Sequence, residues 1–350
     1  MKKVLFGFLA ISLLFSCSSD DEPIIIVDDY SNILTNIGNN VILKTYENLA
    51  AAGSALQVAT QNLGNNPSAT NLELAKQAWI TARSPWEQSE GFLFGPVDQE
   101  GLDPSLDSWP VNVTDLNNVL ASDNTLSVAF LAQQEGTLKG FHTVEFLLWG
   151  ENSDKQVGDF SEREFEYLAA TTETLAEDTE QLYALWNPAD GNYIDNILTA
   201  GNGSAVYISQ KSALEEITNA LIIIVDEVAN GKINDPLAQQ DLTLEESRFS
   251  ANSKADFADN MRSIGNIYNG TFGSFGNGQS LAEIIKAKDA DLDQKLITEI
   301  SAAIQSIEDI PGTFSDAVIN NAAIVTDAQF AVRTLQATLE QDILPIISNL

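Results

Sequence analysis

The sequence predicts an all-α protein built as two helical-bundle halves. Apolar residues recur at spacings of three and four through nearly every long stretch, and no run alternates apolar and polar positions as a half-buried strand would. Breaks rich in Gly, Asn and Pro fall between the periodic stretches. A chain of 350 residues is long enough for two domains, each with its own core. Four major helical stretches precede a break at 187–191 and roughly four follow it, as a duplicated four-helix unit would give, although no residue-level repeat is visible.

The first helix is expected from Ser31 to about Leu63, on the recurrence of Ile33, Leu34, Ile37, Val41, Tyr46, Leu49, Leu56 and Val58, and Gly64-Asn65-Asn66-Pro67 breaks it. The next runs from Asn71 to Leu93 through Leu72, Ala75, Trp79, Ala82 and Trp86. Pro85 should kink or divide it, because the ring removes a backbone donor. Between Phe94 and Leu126 lies a long connection marked by Gly95-Pro96, Asp103-Pro104 and Trp109-Pro110. Loops of that length in compact domains tend to be functional. A helix ending at Trp149 follows, starting at Ser127 or Thr137. Ser161 with Glu164 reads as a capping box opening a helix to about Trp186, closed by Asn187-Pro188-Ala189-Asp190-Gly191. Later helices are expected at Val206–Ala229, Lys254–Tyr268, Leu281 to about Ile310 with a break near Asp289 to Asp291, and Ala322–Ile347.

The start of the chain carries a different signal. Met1-Lys2-Lys3, the apolar run from Val4 to Phe15 and Leu14-Phe15-Ser16-Cys17 describe a secretory leader, too short to span a bilayer as an anchor. Leu three positions before a cysteine, with Ser just before it, resembles the lipobox at which bacterial lipoproteins are cut and acylated, which makes Cys17 the expected lipidation site. Residues 17–29 then read as an acidic, flexible tether, and Ser19-Asp20-Asp21-Glu22 resembles export signals that send bacterial lipoproteins to the cell surface. The expected organisation is therefore leader 1–16, tether 17–29, N-terminal helical domain 30–190 and C-terminal helical domain 191–350, anchored by lipid at the outer membrane or cell surface.

Composition narrows the chemistry. Cys17 is the only cysteine, so no intrachain disulfide can form and, once acylated, no thiol remains. With 17 basic and 50 acidic residues the formal charge is −33, a surface that repels phosphate backbones and excludes nucleic acid as a partner.

The chemically distinctive stretch is Gly140-Phe141-His142-Thr143-Val144-Glu145-Phe146-Leu147-Leu148-Trp149-Gly150, which holds the single histidine of the chain. On a helix His142 and Glu145 lie on one face a turn apart. That suits a metal ion, a base with its orienting partner, or a core histidine bonded to a carboxylate. With no second His and no thiol, further ligands must be oxygen, which favours hard cations such as ferric iron, calcium, magnesium or manganese over zinc. The zinc motif with two histidines four apart on a helix is impossible here. No phosphate-binding glycine loop appears, and a Ser-His-Asp triad would have to use His142. Arg83, Glu87 and Glu90, at i, i+4 and i+7, share a helical face beside Trp86. In the second half Asp256, Asn260 and Ser263 form a polar stripe, with Glu246 and Ser247 just upstream.

These residues carry a family resemblance. Gly140-Phe141-His142-Thr143-Val144-Glu145 resembles the Gly-x-His-x-x-Glu signature of the imelysins, bacterial envelope proteins classed as peptidases and linked to iron uptake. Trp79 to Pro96 with Leu106-Asp107-Ser108-Trp109-Pro110 is similar to the family's first block. Glu246-Ser247-Arg248-Phe249-Ser250, Asp256-Phe257 and Asn260 to Ile264 resemble a later one. The resemblance implies two helical-bundle halves and a polar cleft between them that binds a divalent or ferric metal ion or an iron-bearing ligand. Glu87 and Glu90 become candidate oxygen ligands beside His142 and Glu145, and Arg83 a holder of a carboxylate or anion; Asp107 and Trp109, by their place in the proline-marked connection, read either as a lid or as a loop pinned by a buried indole. It also implies a role in iron acquisition, with iron-transport components as partners. A metallopeptidase using His142 and Glu145 as ligand and base is the rival reading, and a surface interaction protein in which the motif cements the fold is a third.

Overall fold

The computed structural model describes residues 29–350; the leader, Cys17 and all but the last residue of the expected tether lie outside the described residues. The architecture is all-α, as the periodicity predicts. A single rod spans 31–65, made of Ser31–Asn36, a π-helical insert at Ile37–Ile42 and Leu43–Asn65. Ser68 then caps the helix Ala69–Glu87 by accepting from the Asn71 N–H, the N-cap role that a short hydroxyl side chain fills well. The Leu43–Asn65 helix packs against Ala69–Glu87 and Glu162–Trp186, and the short Gly140–Trp149 helix closes the group. The second group is Gln210–Glu227, Ser253–Asn269, Ala290–Glu308 and Ala322–Thr338.

Several boundaries follow local chemistry read in the sequence. The Ser161 and Glu164 side chains form the reciprocal capping box, and that helix ends at Trp186. Asp289 accepts from the N–H groups of Asp291 and Leu292, which starts a new helix where a break was expected. Other boundaries differ. The helix carrying Pro85 is neither extended to Leu93 nor divided; it ends at Glu87, two residues past the proline, and passes into a 3-10 turn at Glu90–Phe92. A donor lost so near the end removes little from the helix but favours stopping there. The connection after Phe94 is also more regular than expected, holding short helices at Pro96–Gln99, Leu102–Asp107 and Val113–Leu120. Two-residue strands at Thr271–Phe272 and Phe275–Gly276 pair antiparallel after Asn269. Asn36 fastens that hairpin to the first rod, donating to Gly270 O at 2.8 Å and Gln279 O at 2.7 Å.

The core is continuous between the two groups of helices. Tyr46, Trp79, Trp86, Phe92, Phe141 and Trp186 are buried on the first side and Phe257, Tyr268 and Phe314 on the second. Each fully buried Leu, Ile or Phe contributes roughly 1.5–3 kcal/mol, so packing replaces the disulfides this chain cannot make. The groups meet where Ala69–Glu87 and its 3-10 turn cross Ser253–Asn269 and Gln210–Glu227. At Gly91 the approach is so close that a Cβ would fall 2.6 Å from Ser263 Oγ. The polar residues singled out from both halves of the sequence collect at this seam.

A buried charge cluster as the candidate site

The signature helix is buried along its whole length from Gly140 to Trp149, as its apolar run predicts. Two contacts fix its start. Tyr167 Oη donates to Leu138 O at 2.5 Å, and Trp79 Nε1 donates to Phe141 O at 2.9 Å. Gly140 has φ +73°, and a Cβ there would meet Leu106 O at 2.3 Å. The glycine of the motif therefore lets the Leu102–Asp107 helix lie against this one. That approach delivers Asp107, whose Oδ1 sits 3.1 Å from His142 Nε2.

His142 is held from both sides. Nδ1 lies 3.1 Å from Glu145 Oε2, and Glu145 Oε1 accepts from the Ser250 N–H and Oγ, both at 2.7 Å. Glu145 thus stands behind the ring and ties it to the segment carrying Glu246. Nε2 faces the opposite way, toward Asp107 and toward Glu246 Oε1 at 3.7 Å. The two motif residues occupy one face of the helix, yet only one of them looks into the pocket.

Arg83 lies at the centre, fully buried. It pairs with Asp107 and Glu87, reaches Glu246 Oε1 at 3.0 Å and Asp256 Oδ2 at 3.3 Å, and has the rings of Trp79 and Phe141 within 6 Å of its guanidinium. A planar five-donor group suits this bridging between the two groups of helices. Trp86 Nε1 donates to Asp107 Oδ2 at 2.6 Å, which gives the indole the partner a buried N–H needs. Glu90 lies past the helix end, on the 3-10 turn, so it does not continue the Arg83–Glu87 face. Its carboxylate still joins Glu87 through Asn260, whose Nδ2 is 2.6 Å from an oxygen of each. Trp109, at the cis Trp109–Pro110 bond, covers His142 with ring centres 6.2 Å apart.

Sequence reasoning missed Lys232. Its ammonium is buried 2.8 Å from Glu90 Oε2, 3.1 Å from Glu246 Oε2 and 3.5 Å from Glu87 Oε2, under the Trp109 ring. A lone lysine after Asn230-Gly231 reads as a solvated helix end; the π-helical turn Val228–Lys232 rotates it inward instead, a local unwinding common at functional sites. Ser247, just after Glu246, takes a left-handed conformation at φ +53° with a buried Oγ that makes no hydrogen bond.

Six buried carboxylates, those of Glu87, Glu90, Asp107, Glu145, Glu246 and Asp256, thus face three basic groups, Arg83, Lys232 and His142. The excess shapes their titration. Burial raises the Glu87 carboxyl to about 8 against the pull of Arg83 and Lys232, and raises Asp256 to about 6. Glu90 is also pushed well up, by burial and by Glu87. Burial would raise Glu246 as well, but Lys232, His142 and Arg83 hold it near 2. Asp107 is likewise held below the usual range by Arg83 and His142. His142 rises well above its ordinary value because the attraction of Asp107 outweighs burial.

Two orphaned atoms mark the pocket. Among buried side-chain atoms without a hydrogen-bond partner are His142 Nε2 and Glu246 Oε2; Nε2 is near Asp107 but not aligned for a bond. Ligand atoms of Asp107, His142 and Glu246 lie within 4.8 Å of one another, as do those of Glu87, Glu90 and Asp107. Oxygen and imidazole donors around a metal sit about 2.0–2.6 Å from it, so such a spread fits a shared ion. Outward, Glu90, Asp103, Asp107, Trp109 and Glu227 line a cavity of about 230 Å³. Glu90 and Glu227 also border a cleft of about 360 Å³ that includes Asp98, Tyr193, Tyr207 and Glu216.

A helical protein with an acid-rich cluster buried where two groups of helices meet is the class this arrangement defines. The chain belongs to the imelysin family, whose profile matches residues 42–343. It is 29% identical over 346 residues to iron-regulated protein A of Synechococcus elongatus, covering 97% of this chain and 92% of that one. A crystal structure of a protein described as an iron-regulated protein A precursor from Parabacteroides distasonis superposes with TM-score 0.82 at 26% identity, over 91% of this chain and 94% of the other. An imelysin-like protein from Psychrobacter arcticum shares the fold, with TM-score 0.73 at 14% identity over 93% and 98% of the two chains.

Proposed function

We propose that this chain binds a hard metal ion in the seam between its helical groups and serves iron acquisition from a lipid-anchored position on the cell envelope. The observation that carries the reading is the convergence of His142 Nε2, Asp107 and Glu246 on one buried volume, with Nε2 and Glu246 Oε2 each 3.1 Å from a charged neighbour, Asp107 and Lys232, but without an aligned hydrogen bond. Native proteins rarely leave such atoms unsatisfied. His142, Asp107 and Glu246 would hold the ion, Glu145 orients the imidazole through Nδ1, and Arg83 with Trp86 fixes Asp107. An outer partner that sets a ligand's tautomer is the usual companion of a metal-bound histidine. The iron-related name of the cyanobacterial relative supports iron as cargo. The lipobox at Cys17 supports the anchor.

Elemental analysis of protein purified without an affinity tag, with calorimetric titration of Mn²⁺ and of ferrous iron under argon, tests the reading. Stoichiometric binding that is lost in His142→Ala is expected. A protein that carries no metal and takes up none, with a well-folded His142→Ala that behaves like wild type, would overturn it.

A further inference from the structure

Lys232 has no place in the ligand set just described, yet it is among the most deeply buried charges of the protein. Its three carboxylate neighbours come from three separate elements: Glu87 from the end of a helix, Glu90 from a 3-10 turn and Glu246 from the segment before Ser253–Asn269. Two of them, Glu87 and Glu90, also belong with Asp107 to the second group of acidic ligand atoms that lie within 4.8 Å of one another. An ammonium is a compact point charge with three donors. It therefore satisfies much the same cage that a small hard cation would, and two cations cannot share that cage without strong repulsion.

We propose that Lys232 is a tethered placeholder for a second cation, held at the Glu87–Glu90–Asp107 position beside the His142 pocket. Asp107 belongs to both groups of ligand atoms, so the two positions adjoin. Three independent details support the exchange. Glu246 Oε2 is buried 3.1 Å from the ammonium but forms no hydrogen bond with it, and so keeps ligating capacity. Asn260 Oδ1 is also buried without a partner, so a flipped amide can offer oxygen to a cation where Nδ2 now donates to Glu87 and Glu90. A displaced ammonium also has somewhere to go: Asp103 and Glu227, both close enough to feel Lys232, line the adjoining 230 Å³ cavity. Replacing one positive charge by two or three relieves more of the carboxylate excess. The proposal rests on the reading of the neighbouring pocket as a cation site, but it makes a separate claim about number.

Mn²⁺ is the probe, followed by calorimetry, thermal melts and electron paramagnetic resonance in wild type, Lys232→Met and Lys232→Gln. Both variants should bind one more Mn²⁺ per chain than wild type at concentrations where wild type binds one, with at least tenfold higher affinity for the additional ion. A spin-coupled Mn–Mn spectrum should accompany it. Without metal both variants should melt lower than wild type, and Mn²⁺ should raise their melting temperature more than that of wild type. Equal stoichiometry and affinity in all three proteins overturns the proposal and leaves the His142 reading intact. A wild type that binds no Mn²⁺ while the variants bind one does the reverse. Failure of both variants to fold even in saturating Mn²⁺ also counts against it, because a cation should replace what the ammonium supplied.

Discussion

Glu145 reaches His142 at Nδ1, 3.1 Å away, and so leaves Nε2 as the ring atom that faces Asp107 and Glu246. The pair is arranged in series along a line into the pocket, with the carboxylate furthest in the rear. Removing the rear member should therefore act through the front one. Glu145→Gln is expected to keep the fold and weaken Mn²⁺ binding about 10- to 100-fold, the usual cost of losing an outer partner. His142→Ala should abolish binding, and the double variant should cost less than the two losses added together. Calorimetric titration of the three variants decides this, and additive losses would sink the serial arrangement.

Stability should fall with rising pH through the neutral range. Glu87, raised to about 8, keeps a proton in the fold that the unfolded chain gives up near 4.5, and Asp256, raised to about 6, behaves alike from 3.8. Wherever the folded state binds more protons, each step up in pH lowers stability. His142, raised above 6.5, adds to the decline as pH climbs through its folded value. Glu246, lowered to about 2, works oppositely, and its stabilisation is lost only as pH drops from 4.5 toward 2. Melting temperatures from pH 5 to pH 8 should fall in wild type, fall less in Glu87→Gln, and fall less again in saturating Mn²⁺. A flat or rising wild-type profile is the contrary result.

Gly140→Ala tests the approach that delivers Asp107. The new Cβ would lie 2.3 Å from Leu106 O at a positive φ, so destabilisation of roughly 1–3 kcal/mol is expected. Denaturant unfolding measures it. Metal affinity should drop as well, because Asp107 can no longer sit beside His142. An unchanged midpoint and unchanged affinity would contradict the geometry.

Cys17→Ala should yield a folded protein without stable membrane attachment, since paired acyl chains supply the anchor energy. No helix among the described residues is long and apolar enough to cross a membrane. Detergent partitioning of the variant against wild type measures the effect; equal retention in the detergent phase would refute the lipobox reading.

How far the sequence could be read depends on what each residue's signal is. The helices were legible because apolar spacing and short-range caps such as Ser161 with Glu164 act within one element. Arg83, Glu87, Glu90, Asp107, Glu145, Glu246, Asp256 and Asn260 all reach the seam; helical spacing and the resemblance to the imelysin blocks singled them out, since a charged residue on a helix face otherwise reads as solvated. The direction of Glu145 was not legible, because helical spacing fixes a shared face but not which ring nitrogen is met. Lys232 left no mark at all. Its burial depends on a π-helical turn and on three carboxylates 14 to 145 residues away, and no local pattern encodes such a meeting. The end of the helix at Glu87 was misplaced for a similar reason: Pro85 signals a stop without saying how many residues later it comes.

The covering of the seam by Trp109 also sets a clock. Behind the indole His142 is only 2% exposed and Asp107 4%, so on the function proposed above a bound ion would exchange with the surroundings only as often as the Trp109 side moves aside, and loop motions of that kind run on microsecond to millisecond scales. Association and release of such an ion would then share one gate and speed up or slow down together when Trp109 is altered. If the proposed site holds an ion, a molecule built this way would keep it through brief swings in outside supply, which suits retention and orderly handover better than rapid sensing.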